Sequence, residues 1–275
     1  MVDPSNDDKY DDGYGNINSK YVRNNHLFNL QGHLDAKKIF LAGNFNAWDD
    51  DGIRMRRSSV GWNLPVYLEE GTWSYKYVIN GRDWILDPVN PNQRADGAGN
   101  MNSVIAIGDT TLFHLDGFTN AKEVFLTGSF NDWNENELLM MPKSTGWELP
   151  YVIGPGNYEY KYKVDGRWIT DPANPISIGE GDFKNSVIVV EPKVDFSLAG
   201  YENANEVRLT GNFNGWANPG YTMKRDGDSW KISLFLFPGK YLYKFVLDGK
   251  YLEDPNNAQR EGNEFGSHNS VLWVK

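Results

Sequence analysis

The 275 residues carry a formal charge of −10, contain no cysteine, and are 14% aromatic. An acidic surface is repelled by phosphate backbones, which excludes nucleic acid as the expected partner. Without cysteine there is no disulfide, thiolate metal site or thiol nucleophile, and no run of about 18 apolar residues offers a membrane span.

Residues 1–24 are rich in Asp, Asn, Gly and Ser and lack the apolar centre of a signal peptide. They are expected to form a flexible, acidic tail. The sequence is compatible with a piece cut from a longer secreted or multidomain protein. It leaves the compartment open, with a secreted, periplasmic or cell-surface location favoured over the cytoplasm.

After the tail, one unit is written three times, roughly 85 residues apart. Gly43-Asn44-Phe45-Asn46-Ala47-Trp48 returns as Gly128-Ser129-Phe130-Asn131-Asp132-Trp133 and as Gly211-Asn212-Phe213-Asn214-Gly215-Trp216. A period this long marks whole small domains in tandem, with expected bounds 25–108, 109–192 and 193–275.

Each unit reads as short strands. Alternation places Phe28 and Leu30 inward on a first strand, and Ile39 and Leu41 inward on a second, which ends at the Gly-x-Phe-Asn-x-Trp turn. A third strand opens with Trp62 and puts Leu64, Val66 and Leu68 on its face. A fourth sets Trp73, Tyr75, Tyr77 and Ile79 on one side, and Ser74, Lys76 and Val78 on the other. Asn80-Gly81 tolerates the positive φ angles of a hairpin turn, Trp84-Ile85 returns, and Val104-Ile105 closes the unit. Six to seven short strands of this kind predict an all-β chain of three tandem immunoglobulin-like antiparallel β-sandwiches.

Because the unit recurs, each residue is judged against two internal relatives. Trp62, Trp147 and Trp230, with Tyr75, Tyr160 and Tyr243, keep the parity of the core. Asp87, Asp171 and Asp254 each precede Pro, which is a turn signal. Lys76, Lys161 and Lys244 lie mid-strand on the opposite face, where a solvated lysine and a ligand-binding one are both open readings. Trp48, Trp133 and Trp216 follow the tight turn and are either lids on the core or exposed stacking platforms. Trp84, Trp168 and Tyr251 take the outer parity past the hairpin turn, and Asn102, Asn185 and Asn269 precede the last strand. An aromatic ring packs on the apolar C–H face of a sugar, and Lys and Asn hydrogen-bond its hydroxyls. The set suits a neutral carbohydrate.

Together the Gly-x-Phe-Asn-x-Trp turn, the Tyr-Lys-Tyr/Phe run into Asp/Asn-Gly, the following Trp, the Asp-Pro and the late Asn resemble the family-48 carbohydrate-binding modules. These include the glycogen-binding domain of the AMP-activated protein kinase β subunit and the N-terminal early-set domain of isoamylases and branching enzymes. The resemblance covers nearly all of residues 25–275. It implies α-1,4-linked glucan as partner, two stacking rings, and a Lys and an Asn on the hydroxyls. Copy two matches best, with Trp133, Lys161, Trp168 and Asn185. Copy one offers Trp48, Lys76, Trp84 and Asn102, with one extra residue in Gly81-Arg82-Asp83-Trp84. Copy three offers Trp216, Lys244 and Asn269, with Tyr251 in place of Trp. The kinase family also uses a loop Leu around the sugar chain; no Leu stands there in this sequence, although Phe183 and Phe265 lie in that region.

No catalytic residues, metal ligands or cofactor are expected. Glycosidases need two carboxylates about 5–10 Å apart in a cleft, but the acids that recur here are turn residues. His26, His33, His114 and His268 stand at non-equivalent positions, and no Gly-x-Ser-x-Gly elbow or phosphate loop occurs. The leading expectation is non-catalytic binding of glycogen, starch or maltooligosaccharides through up to three modules. The alternative is a set of structural or protein-interaction early-set domains, fused to or associated with a glucan-active catalytic domain and without sugar binding of their own.

Overall fold

The computed structural model describes residues 24–275; the tail expected over residues 1–24 lies outside them, apart from Asn24. The described residues form two compact units that divide after Gly108. Among them no helix is long and apolar enough to cross a membrane.

The first unit is one sandwich of nine strands. They are β1 His26–Gln31, β2 Ile39–Gly43, β3 Ile53–Arg54, β4 Arg56–Arg57, β5 Gly61–Val66, β6 Gly71–Ile79, β7 Asp83–Ile85, β8 Gln93–Ala95 and β9 Met101–Ile107. One sheet runs β1-β5-β4; the other runs β3-β2-β6-β9-β8, with β7 also on β6. All neighbours are antiparallel. Nine segments replace the six or seven expected. The added ones, β3, β4 and β8, hold two or three residues each, too few to show alternation in the sequence.

The second unit holds two more sandwiches of the same plan, with strands running from Thr110–Asp116 to Asn185–Val190 and from Val194–Ala199 to His268–Val274. They touch one another directly. Ser177 donates its backbone N–H to Thr222 Oγ1 at 2.6 Å. The side-chain amide of Asn157 bonds the Phe235 backbone both ways, Nδ2 to O at 2.8 Å and N–H to Oδ1 at 2.9 Å. Ile178 and Val187, from the second sandwich, join the apolar cluster built by the third.

The core follows the strand parity read from the sequence. Trp62, Trp147 and Trp230 are buried, and each indole N–H donates to the carbonyl of a turn residue, His33, Phe118 or Tyr201, at 3.0–3.1 Å. The buried Tyr75, Tyr160 and Tyr243 each donate their hydroxyl to the aspartate of the Asp-Pro pair, at 2.7, 2.6 and 2.6 Å. That aspartate's own N–H donates to Ser103, Ser186 or Ser270 Oγ at 2.8 Å in every copy. Asn90, Asn174 and Asn257 complete the knot, each donating to the tyrosine oxygen and to the carbonyl of the final strand. The recurring aspartates are thus committed to structure, in keeping with their place before proline. The asparagines were missed, although each stands three residues after its Asp in a repeated Asp-Pro-x-Asn.

Burial, followed by the carboxylate acceptor, raises the Tyr75, Tyr160 and Tyr243 phenols well above the ordinary tyrosine range. Burial also raises Tyr77 and Tyr162. A phenol held neutral in the fold ionises earlier in the unfolded chain, near pH 10. The stability it lends is therefore complete below about pH 10 and is lost as pH rises toward the folded values. The urea midpoint is expected to be flat up to about pH 9 and to fall steeply beyond about pH 10. A midpoint unchanged at about pH 11 would contradict this network.

Candidate functional site

Five of the six residues in the Gly-x-Phe-Asn-x-Trp turn have evident structural tasks. At the Gly, an added Cβ would sit 2.5, 2.4 or 2.4 Å from the carbonyl oxygen of Ser74, Glu159 or Leu242 on the neighbouring strand. The next side chain, Asn44, Ser129 or Asn212, accepts the N–H of those same residues at 3.0–3.1 Å. The Phe ring packs beside Phe28, Phe113 or Phe196. The Asn side chain accepts the Gly N–H at 2.9–3.0 Å. The fifth residue is left-handed in all three copies. The Trp follows at φ 60, 57 and 58°, with its N–H on the Gly carbonyl at 2.8–2.9 Å. Bulky residues avoid this region, at a cost of about 1–2 kcal/mol. A strain kept in three copies points to a use for the ring.

Strand register places the other candidates on the same sheet face, away from the main core. Lys76 pairs with Ala42, while Val78 pairs with Phe40 and with Trp84. In the second sandwich Lys161 pairs with Thr127, and Trp168 with Lys163. In the third Lys244 pairs with Thr210, and Tyr251 with Val246. The post-hairpin ring therefore takes one register in all copies, and the extra residue of the first is absorbed within its turn. Asn102 and Asn269 sit next to Ser103 and Ser270, which pair with the core tyrosines Tyr75 and Tyr243, so they share the face of the lysines. Asn185 does the same beside Ser186.

In the first sandwich Trp48 lies on a small cluster of Phe40, Ala42 and Val78, separate from the main core. Its ring centroid is 6.3 Å from that of Trp84, at 43°. It lids the outer sheet face rather than the core. In the second sandwich Trp133 and Trp168 are 37% and 45% exposed. Lys161 Nζ donates to Asp182 O at 2.7 Å, and Asn185 Nδ2 donates to Glu159 Oε2 at 2.6 Å. In the third, Trp216 is half-buried and Tyr251 exposed. Lys244 is 9% exposed, with Nζ 2.8 Å from Ser267 Oγ and 6.0 Å from the Tyr251 ring centre. Asn269 is buried and accepts from Asn263 Nδ2 at 3.0 Å.

The polar candidates are thus less open than the sequence implied. Asn102 is buried as well. In the second and third sandwiches the loop before the last strand folds over the lysine and supplies the partner it holds, which strand parity does not encode. The same loops carry Phe183 and Phe265, 86% and 84% exposed.

A sandwich whose outer sheet face carries two aromatics, a lysine and an asparagine has the make-up of a carbohydrate-binding module. The profile of the family described as the glycogen recognition site of AMP-activated protein kinase matches residues 28–114, 110–197 and 198–275, and the chain belongs to that family. It is 36% identical over 70 residues to PTST homolog 2, a chloroplast protein of Arabidopsis thaliana, covering 26% of this chain and 13% of that one. It is 34% identical over 88 residues to the 5'-AMP-activated protein kinase subunit beta-1 of Rattus norvegicus, covering 32% of this chain and 31% of the relative. The chain therefore spans less than a third of the length of either relative. A crystal structure of the maltogenic amylase from S. marinus aligns with 60% of this chain and 28% of its own at 14% identity, with a TM-score of 0.27, too low to carry weight.

Proposed function

We propose that the chain is a non-catalytic array that binds α-1,4-linked glucans such as glycogen, starch and maltooligosaccharides. The observation that carries this reading is the exposure of Trp133 and Trp168, with Trp168, Lys161 and Asn185 on one sheet face, together with membership of a glycogen-recognition family. The indoles stack on glucose rings, burying C–H faces without an ionic ligand. Lys161 exchanges the Asp182 carbonyl, and Asn185 the Glu159 carboxylate, for sugar hydroxyls. Trp48, Lys76, Trp84 and Asn102 serve in the first sandwich, and Trp216, Lys244, Tyr251 and Asn269 in the third. Each shallow site binds weakly, and joint contact with one branched polymer raises the apparent affinity by roughly 10²–10⁴ where the geometry allows.

A second reading has one observation in its favour. Ile178 and Val187 of the second sandwich are already covered by the third, so these domains can dock proteins on a sheet. Under it, the array packs beside a fused or associated glucan-active enzyme. Electrophoresis through native gels containing glycogen, or hydroxyethylcellulose as control, separates the two. Retardation by glycogen alone supports the glucan array. Equal mobility in both gels and in plain gel overturns it.

A further inference from the structure

At the position held by Phe40 in the first sandwich and Phe125 in the second, the third carries Arg208. The register is the same: Phe40 pairs with Val78, Phe125 with Lys163, and Arg208 with Val246. Arg208 is 6% exposed. A buried guanidinium needs partners to offset its lost hydration, and Arg208 draws them from two sandwiches. Its own supplies Glu206 at 3.1 Å and Gly220 O at 3.4 Å. The second sandwich supplies Glu180 at 3.7 Å and Gly179 O at 3.4 Å.

Both of those partners stand on the loop that runs over residues 179–184 into Asn185. The far end of the loop holds the Asp182 carbonyl that accepts the Lys161 amine, and the exposed Phe183. The same border makes a second link. Tyr221 of the third sandwich has its phenol pushed up to about 12, by burial and then by the charge of Glu159. Glu159 in turn accepts the side-chain amide of Asn185. Lys161 is therefore tied to the loop that Arg208 holds.

Resting on the glucan reading above, we propose that the third sandwich completes the binding site of the second, with Arg208 as a positioning residue that anchors the 179–184 loop. A free loop loses conformational entropy when it closes on a sugar. An anchored one has been ordered beforehand, so Asp182, Phe183 and Asn185 meet the ligand without that loss. The consequence is a dependence of one module's affinity on its neighbour, distinct from avidity on a polymer.

The test uses the whole chain with Trp48→Ala and Trp216→Ala, so that calorimetry with maltoheptaose reads the second site. Adding Arg208→Phe, the side chain both other sandwiches carry there, is expected to weaken binding about tenfold. It is also expected to speed amide exchange at Phe183 and Lys184, whose N–H groups bond Glu180 O and Gly181 O. Glu180→Gln, a change at an exposed side chain, should move both readouts the same way by less. The double variant should cost less than the two single effects combined. Unchanged affinity and exchange in both single variants, with Trp133→Ala still abolishing binding, overturns the coupling and leaves the glucan site standing. No heat from the parent chain, before Arg208 is touched, overturns both.

Discussion

Trp133→Ala is expected to remove maltoheptaose binding by the second sandwich and to leave its unfolding transition in place. Trp133 is exposed and sits at φ 57°, where its side chain earns nothing from backbone preference. The turn is held by Asn131 on the Gly128 N–H and by the Trp133 N–H on the Gly128 carbonyl, and alanine keeps both bonds. Removing an indole that covers about 100 Å² of sugar face forfeits about 2.5 kcal/mol, close to a hundredfold in affinity. A shallow site does not survive that loss at usual concentrations. Lys161→Ala should weaken binding less, about tenfold, since its amine exchanges one hydrogen bond for another. Titration of both variants, with circular dichroism as the fold control, checks this. Full affinity in both would remove the assigned site.

Asp171→Ala is expected to destabilise the second sandwich more than loss of its partner phenol does. Asp171 takes the buried Tyr160 hydroxyl at 2.6 Å, places its N–H on Ser186 Oγ, and caps the following turn through Ala173 N–H at 2.8 Å. Alanine leaves a buried phenol without its acceptor and frees the turn. Losses of this kind cost about 3 kcal/mol for a carboxylate that accepts from Tyr160, Tyr162 and Ala173. Tyr160→Phe removes only the phenol, leaves Asp171 the Ala173 N–H, and should cost about 1 kcal/mol. Urea unfolding compares them. Equal and small effects would mean that the knot is not what holds the final strand to the sheet.

The repeat is what made the core legible. Trp62, Trp147 and Trp230 could be placed inside because three copies keep the same parity, and the structure buries all three. The Asp-Pro pairs read as turns for the same reason. What differs between copies stayed hidden. Arg208 has phenylalanine at both related positions, so a reading built on recurrence passes over it, and with it the contact between the second and third sandwiches. Strands of two residues, such as β3 and β4, carry no period to detect. The burial of Lys244 comes from Ser267 folding over it, a loop conformation that alternation does not describe. The loop phenylalanines, Phe183 and Phe265, were visible as residues but not as exposed ones.

The most direct measurement is isothermal titration of the whole chain with maltoheptaose and β-cyclodextrin, with cellohexaose as control. The expected result is saturable heat with the two α-linked sugars alone, at a stoichiometry of more than one per chain. Absence of heat with both α-linked sugars, or equal heat with cellohexaose, would contradict the assignment of these sheet faces to α-glucan.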